Sequence, residues 1–554
     1  MKAVMSAVAV LGATIAALLA GAGAAAAAAG SQPAPPPTVS PSSIVWGPCS
    51  DPTLQAAGAQ CGFVSVPLSY SDPSGPQIEL AVSRIEHTSS AAHYQGVIIT
   101  NPGGPGGSGL DLNTYLIPVL QQEGFKAAAN DYDWIGFDPR GVGSSIPTIS
   151  CKPNYLGPDR PNYVPWTPSL FLTWKIRSAS YASACADKSA EQTALLHNMT
   201  TVDNAEDVNS IRKALGVSQI TYYGFSWGTD LGQTYATLYP QTVRRLILDS
   251  NVNPQRPGFD DFNLDQDGPF NTNELKWFGW LAKYNDVYHL GATRNAVKTL
   301  FYSTEASLEN DPAGGVVGPD EWVDTFQDAA YYEETWVEWG QVFSDYVNHH
   351  DTNELVSLYD SVDTPGNDNE LAVYLSVLCT DSAWPGNWSV WKSTSWQVFR
   401  TAPYEVWGNT WFNGPCQSWP VAGGPQFKVN GDGVQSALLI DETGDAATPF
   451  KGSEVTRRLF PNSVLLAEPG GTSHADSLFG DLCVDSTIAR YLKTGALPAR
   501  KPNADWDKTC APIPRPVPPS SAAEASAAQT SAATVLARQG KPVSAANVPA
   551  VHPS

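Results

Sequence analysis

Short β-like runs recur along the chain at 96–100, 133–138, 220–223, 245–249, 437–440 and 464–467, ending in glycine or aspartate turns. Runs of four or five apolar residues without alternation suit strands buried on both faces, as in a parallel sheet covered by helices. Residues 227–239 continue from one such run with helical spacing and stop at Pro240. Between 249 and 437 the pattern changes. Segments 273–284 and 321–347 are long, rich in Trp and Tyr, and spaced like helices. The expected class is therefore α/β: a mostly parallel sheet flanked by helices, with a large, mainly helical cap inserted between two of its strands.

The two ends differ from this body. Lys2 precedes an uncharged Ala/Val/Leu run from Ala3 to Ala29 that ends in an Ala-rich stretch. That is the layout of a secretory signal peptide cleaved near Ala29. No Arg-Arg pair precedes the run, and the first cysteine, Cys49, comes too late for an N-terminal lipid anchor. The expected organisation is a signal peptide over 1–29, a flexible Pro/Ser leader over 30–45, the first part of the core over 46–253 and a helical insertion over 254–430. The rest of the core follows over 431–511, then a disordered Pro/Ala/Ser-rich tail over 512–554.

The chain carries 32 Lys+Arg against 54 Asp+Glu, a formal net charge of −22, with no basic cluster. That argues against nucleic acid or an anionic membrane as partner and suits a soluble extracellular protein or a cationic ligand such as a free α-ammonium. The 18 Trp and 42% hydrophobic residues exclude disorder for most of the length. Eight cysteines, Cys49, Cys61, Cys151, Cys185, Cys379, Cys416, Cys483 and Cys510, include no C-x-x-C pair. An even number in an exported chain favours four disulfides over zinc or redox chemistry. Pairing in chain order is the simplest of many connectivities.

Gly224-Phe-Ser-Trp-Gly228 fits G-x-S-x-G. The pattern alone is weak, but here it lies between a β-type run and a helix, as a nucleophile elbow requires. A serine hydroxyl needs a base, and this topology needs the order Ser, acid, His. Of the histidines after Ser226, His552 lies in the tail and His289, His349 and His350 lie in the insertion. His474 alone follows a strand and a glycine turn. For the acid, Asp445 in Gly444-Asp-Ala-Ala-Thr-Pro449 sits on a loop long enough to reach a histidine and is preferred over Asp441 and Glu442. The oxyanion donors expected are the amide of Trp227 and that of Gly103 or Gly104, in Asn101-Pro-Gly-Gly-Pro-Gly-Gly-Ser-Gly109. A phosphate loop is the rival reading of that segment, but the Lys-Ser/Thr it needs is missing.

With these residues in hand the sequence resembles the secreted bacterial tripeptidyl aminopeptidases, serine exopeptidases of the α/β-hydrolase fold related to prolyl aminopeptidases. The resemblance rests on 101–109, Gly136-Phe-Asp-Pro-Arg-Gly-Val-Gly143, 224–228 and 444–449. It also rests on Leu378-Cys-Thr-Asp381, Pro415-Cys-Gln-Ser-Trp419 and the 483–510 segment containing Tyr491-Leu-Lys-Thr-Gly-Ala-Leu-Pro498. It spans essentially 46–510. It implies nucleophile, acid and base at Ser226, Asp445 and His474, and it supports sequential cysteine pairing. One departure is Ala475, where relatives often carry glycine after the base.

The resemblance implies a secreted serine aminopeptidase that releases short peptides, tripeptides first, from free N-termini, as a monomer with no metal or organic cofactor. Its partners are peptides with a free N-terminus, not nucleic acid, and not a membrane once the signal is cleaved. Asp265, Asp267, Glu333, Glu334 and Asp381 are the candidate carboxylates for the substrate ammonium. A secreted carboxylesterase acting on small esters with the same three residues is the alternative, and a catalytically dead binding protein is a third.

Overall fold

The structure, a computed structural model, describes residues 43–519. The expected signal peptide, the leader up to residue 42 and the tail beyond 519 lie outside the described residues. The strands are β1 (Gly47–Pro48), β2 (Gln60–Pro67), β3 (Gln77–Ile85), β4 (Gly96–Asn101), β5 (Tyr132–Phe137), β6 (Ile220–Phe225), β7 (Val243–Asp249), β8 (Ala437–Glu442), β9 (Ser463–Glu468) and β10 (Lys508–Thr509). They form one sheet in the order β1-β2-β3-β5-β4-β6-β7-β8-β9-β10. From β5 onward every neighbour is parallel, while β1, β2, β3 and β5 pair antiparallel.

All six expected strands are present, and their unbroken apolar character has a simple cause. Alternate residues of each strand feed different cores. Val97 and Ile99 of β4 pack into one cluster with Leu246 and Leu439, whereas Ile98 packs into another with Ile247, Leu438 and Ile440. Burial on both faces leaves no polar alternation to see. The fold is that of the α/β hydrolases, a mostly parallel sheet flanked by helices.

Helix Trp227–Leu238 follows β6 directly. Helix Thr201–Ala214 opens with a capping box between Thr200 and Asp203 and carries Asp207, which accepts a two-pronged bond from Arg140 at 2.7 and 2.6 Å. Both side chains of that pair are completely buried. Arg140 also donates to the carbonyls of Leu68 and Asn198, so it ties the antiparallel edge, the 136–143 motif and this helix together.

Between β7 and β8 the chain is helical, with its own aromatic core of Trp277, Phe278, Phe301, Trp322, Phe326 and Phe343. The expected helix over 321–347 is two helices, Pro319–Tyr331 and Trp336–His349, joined by a 3₁₀ turn at Glu333–Thr335. Tyr332 is extended (φ −138°, ψ 117°) and breaks the run. The aromatic spacing crosses the break because both helices face the same core.

The cysteines form Cys49–Cys61, Cys151–Cys185, Cys379–Cys416 and Cys483–Cys510. No helix among the described residues is long and apolar enough to cross a membrane. Residues 512–519, expected within the disordered tail, have no regular structure but are docked. Arg515 pairs with Glu333 at 3.1 Å and lies over the Trp336 ring, and Trp280 Nε1 donates to the Pro516 carbonyl. Polar and cation–π contacts hold this segment, in which Ile513 is half-buried.

Candidate active site

Ser226 sits between β6 and helix Trp227–Leu238 with φ 55° and ψ −128°, a conformation that non-glycine residues adopt only at a cost. The surroundings impose it. Its amide donates to the Asp249 carbonyl at 3.0 Å, and a Cβ on Gly224 would collide with the Gly228 carbonyl oxygen. A Cβ on Gly228 would stand 2.6 Å from the Asn101 carbonyl oxygen. The two glycines therefore let strand, turn and helix close on one another, as in a nucleophile elbow.

The glycine-rich loop leaves β4 beside this turn. Asn101 Oδ1 accepts the Gly103 amide at 3.0 Å, which spends that donor internally. Gly103 has φ 99°, and a Cβ there would come within 2.9 Å of the Trp227 nitrogen and 2.5 Å of the Phe225 carbonyl oxygen. Gly104, not Gly103, lines the cavity into which Ser226 opens. Farther along, Ser108 donates to Asp138 Oδ1 at 2.5 Å, and Asp138 also accepts the Ser144 amide at 2.7 Å. Burial raises the Asp138 carboxyl to about 6. The Trp227 side chain points inward and donates through Nε1 to Thr201 Oγ1 at 3.2 Å.

His474 Nδ1 lies 2.8 Å from Asp445 Oδ2, and both residues are buried. Thr448 orients the acid: its amide donates to Asp445 Oδ1 and its hydroxyl to Oδ2, both at 2.9 Å. The His474 amide donates to the Tyr331 carbonyl at 2.9 Å, and the Tyr331 and Tyr332 rings flank the imidazole at 5.8 and 6.3 Å. With Nδ1 engaged by Asp445, Nε2 is the free ring nitrogen, and His474 lines the same cavity as Ser226. The other candidate acids go elsewhere. Asp441 accepts from Ser453 Oγ at 2.5 Å, and Glu442 accepts the Ser473 amide. His289 and His350 occupy left-handed positions that end helices, and His349 is an exposed partner of Asp345.

The cavity measures about 260 Å³. Phe262, Phe270, Tyr374, Phe412 and Phe479 supply apolar wall, while Asp328, Glu334, Glu370, Glu405 and Asp476 supply carboxylates. Asp324 and Asp363 lie at the same cavity and pair with Arg160, each at 2.8 Å. Among the described residues no lysine or arginine lines it. Burial holds the Glu405 carboxyl well above the usual range, with Gln327 Nε2 donating to it at 2.8 Å.

Of the five carboxylates proposed from sequence for the ammonium, only Glu334 lines the cavity, where it accepts from Ser473 Oγ at 3.0 Å. Asp265 pairs with Arg256 at 2.8 Å. Asp267 is buried against Asn409 at 3.3 Å. Glu333 accepts from Thr472 and Arg515. Asp381 accepts the Thr201 amide and hydroxyl at 2.7 and 2.6 Å, and burial raises it to about 7. These four have committed partners within the fold. The sequence reading missed Asp328, Glu370, Glu405, Asp476, Tyr331, Tyr332 and Thr448. Only Thr448 carried a local signal, a threonine three residues after an aspartate.

Residues 96–481 match the α/β hydrolase fold family. The chain is 38% identical to the tripeptidyl aminopeptidase of Streptomyces coelicolor over 86% of this chain and 87% of that protein. It is 29% identical to the serine protease Hip1 of Mycobacterium tuberculosis, over 82% and 89% of the two chains. Against the carboxylesterase B of the same organism it is 27% identical, over 83% and 90%. The chain thus belongs to the α/β-hydrolase family, within the branch of serine hydrolases that holds the tripeptidyl aminopeptidases.

Proposed function

We propose that this enzyme is a secreted serine aminopeptidase that removes short peptides, tripeptides first, from free N-termini. The observation that carries the reading is the cavity: it holds Ser226 and His474, and its walls bear several carboxylates with no lysine or arginine among the described residues. Such a field favours a substrate that enters with a positive charge. Glu334, Asp328, Glu370 and Glu405 line that cavity and are the carboxylates we assign to meeting an α-ammonium. Residues 254–430 act as a cap that closes one end of the cleft over a core built from 46–253 and 431–511.

Ser226 Oγ attacks the scissile carbonyl while His474 Nε2 takes its proton, and Asp445 stabilises the imidazolium that results. The amides of Trp227 and Gly104 hold the oxyanion. His474 then returns the proton to the leaving amine. Water, deprotonated by His474, hydrolyses the acyl-enzyme and frees the peptide and Ser226.

A carboxylesterase working through the same residues is the second reading, favoured by the relative named carboxylesterase B. Rates on a tripeptide aryl amide with a free amine, on its N-acetylated form and on a simple aryl ester separate the two. The aminopeptidase reading expects loss of the acetylated substrate by two orders of magnitude or more. Equal cleavage of free and blocked peptides refutes it. Ser226→Ala is expected to abolish turnover of every substrate that the wild type cleaves.

A further inference from the structure

Glu442 ends β8 and Glu468 ends β9, and the two are direct partners in the parallel register. Paired residues on adjacent strands carry their side chains to the same face, so the register itself brings these two carboxylates together. Asp476 joins them from the loop that carries His474. One oxygen from each residue lies within 4.8 Å of the other two. Glu442, Glu468 and Asp476 are 3%, 0% and 7% exposed. Among the described residues no ion pair involves Glu442 or Glu468.

A second observation points into the same space. Both carboxylate oxygens of Glu468 are buried and receive no bond from a backbone, amide, hydroxyl or cationic donor; the side chain that meets them is another acid, Asp481. A buried carboxylate left without donor or counter-charge is costly, and here two more carboxylates stand beside it. The charge of Asp481 adds to the repulsion at Glu468. A cation bound 2.3–2.6 Å from each oxygen would hold those oxygens at most about 5 Å apart, which is the spacing present.

We propose that Glu442, Glu468 and Asp476 bind one calcium ion, which fastens the loop bearing His474 to the ends of β8 and β9. An all-oxygen, carboxylate-rich set selects a hard cation over zinc, which takes nitrogen and sulfur ligands. Magnesium keeps several of its waters and fits a buried three-carboxylate set less well. Glu442 already accepts the Ser473 amide, so the ion extends a link that the protein has begun. The site is independent of which acyl bond the enzyme cleaves.

The test uses the full chain, treated with EGTA, desalted, and titrated with CaCl2 by calorimetry while thermal unfolding is followed, with MgCl2 in parallel. One calcium per chain and a rise in Tm of about 3 °C at calcium a hundredfold above its Kd are expected, with a smaller rise for magnesium. Glu468→Gln and Asp476→Asn are expected to lose both the heat and the shift. No heat and no change in Tm with millimolar calcium overturns the proposal, as does an undiminished shift in a folded Glu468→Gln or Asp476→Asn. Because the wild-type titration is decisive by itself, a variant that fails to fold does not shelter the idea.

Discussion

The imidazole of His474 is held by Asp445 at 2.8 Å through Nδ1, and Asp445 is itself held by Thr448 through both oxygens. The acid therefore has one orientation available and the histidine one tautomer. Asp445→Asn keeps the shape of the side chain but presents an amide where a charge is needed. It should lower kcat by about 10⁴-fold with little change in KM. Steady-state kinetics on the free-amine tripeptide amide reads this out, and a loss smaller than tenfold would remove Asp445 from the mechanism.

Gly103 faces the elbow so closely that a methyl group would stand 2.9 Å from the Trp227 nitrogen. Gly103→Ala should block that amide as an oxyanion donor and strain a backbone at φ 99°. A fall in kcat of about 10²–10³-fold is expected, with the fold retained by circular dichroism.

Arg140 and Asp207 form a completely buried pair far from solvent screening. Arg140→Ala leaves Asp207 without its counter-charge and should cost about 3–5 kcal/mol in denaturant unfolding. Replacing both residues, as Arg140→Met with Asp207→Leu, should cost less than the single change, because no unpaired charge then remains.

Burial raises Glu274 to about 8; Tyr302 donates to one oxygen at 2.8 Å, and Lys298 and Glu305 are its charged neighbours. The unfolded chain loses this proton in the ordinary glutamate range of about 4.3, whereas the folded chain keeps it to about 8. Across that window the folded state binds more protons, so stability falls as pH rises and levels off above it. Asp230 and Asp381, both raised to about 7 by burial, act in the same direction. Calorimetry should give a lower Tm at about pH 8 than at about pH 5, and Glu274→Gln should narrow the difference.

What could be read from sequence was whatever the local chain determines. Ile98, Tyr222 and Leu438 advertise buried strands because neighbours on both sides along the chain are also buried. Ser226, His474 and Asp445 stand out through turns that only certain residues tolerate. The antiparallel β2 and β3 were not read, since Gln60–Pro67 and Gln77–Ile85 mix exposed, half-buried and buried positions. The cap carboxylates were equally opaque. Asp381 looks like any acid at a helix end until Thr201, 180 residues earlier, arrives to donate to it. Glu405 gave no hint of facing a cavity, because its hydrogen-bond partner there, Gln327, lies on another helix far away in the chain. The Glu333–Thr335 break was hidden by a Trp/Tyr rhythm that packing continues on either side.

The four disulfides span 12, 34, 37 and 27 residues, and none encloses or crosses another. Each thiol finds its mate within its own stretch, so each bond can close as soon as its second cysteine is present. A bridge that stays open leaves the remaining three topologically untouched. The pairing pattern thus permits oxidative maturation by separate local steps, with no bridge threaded through the loop of another.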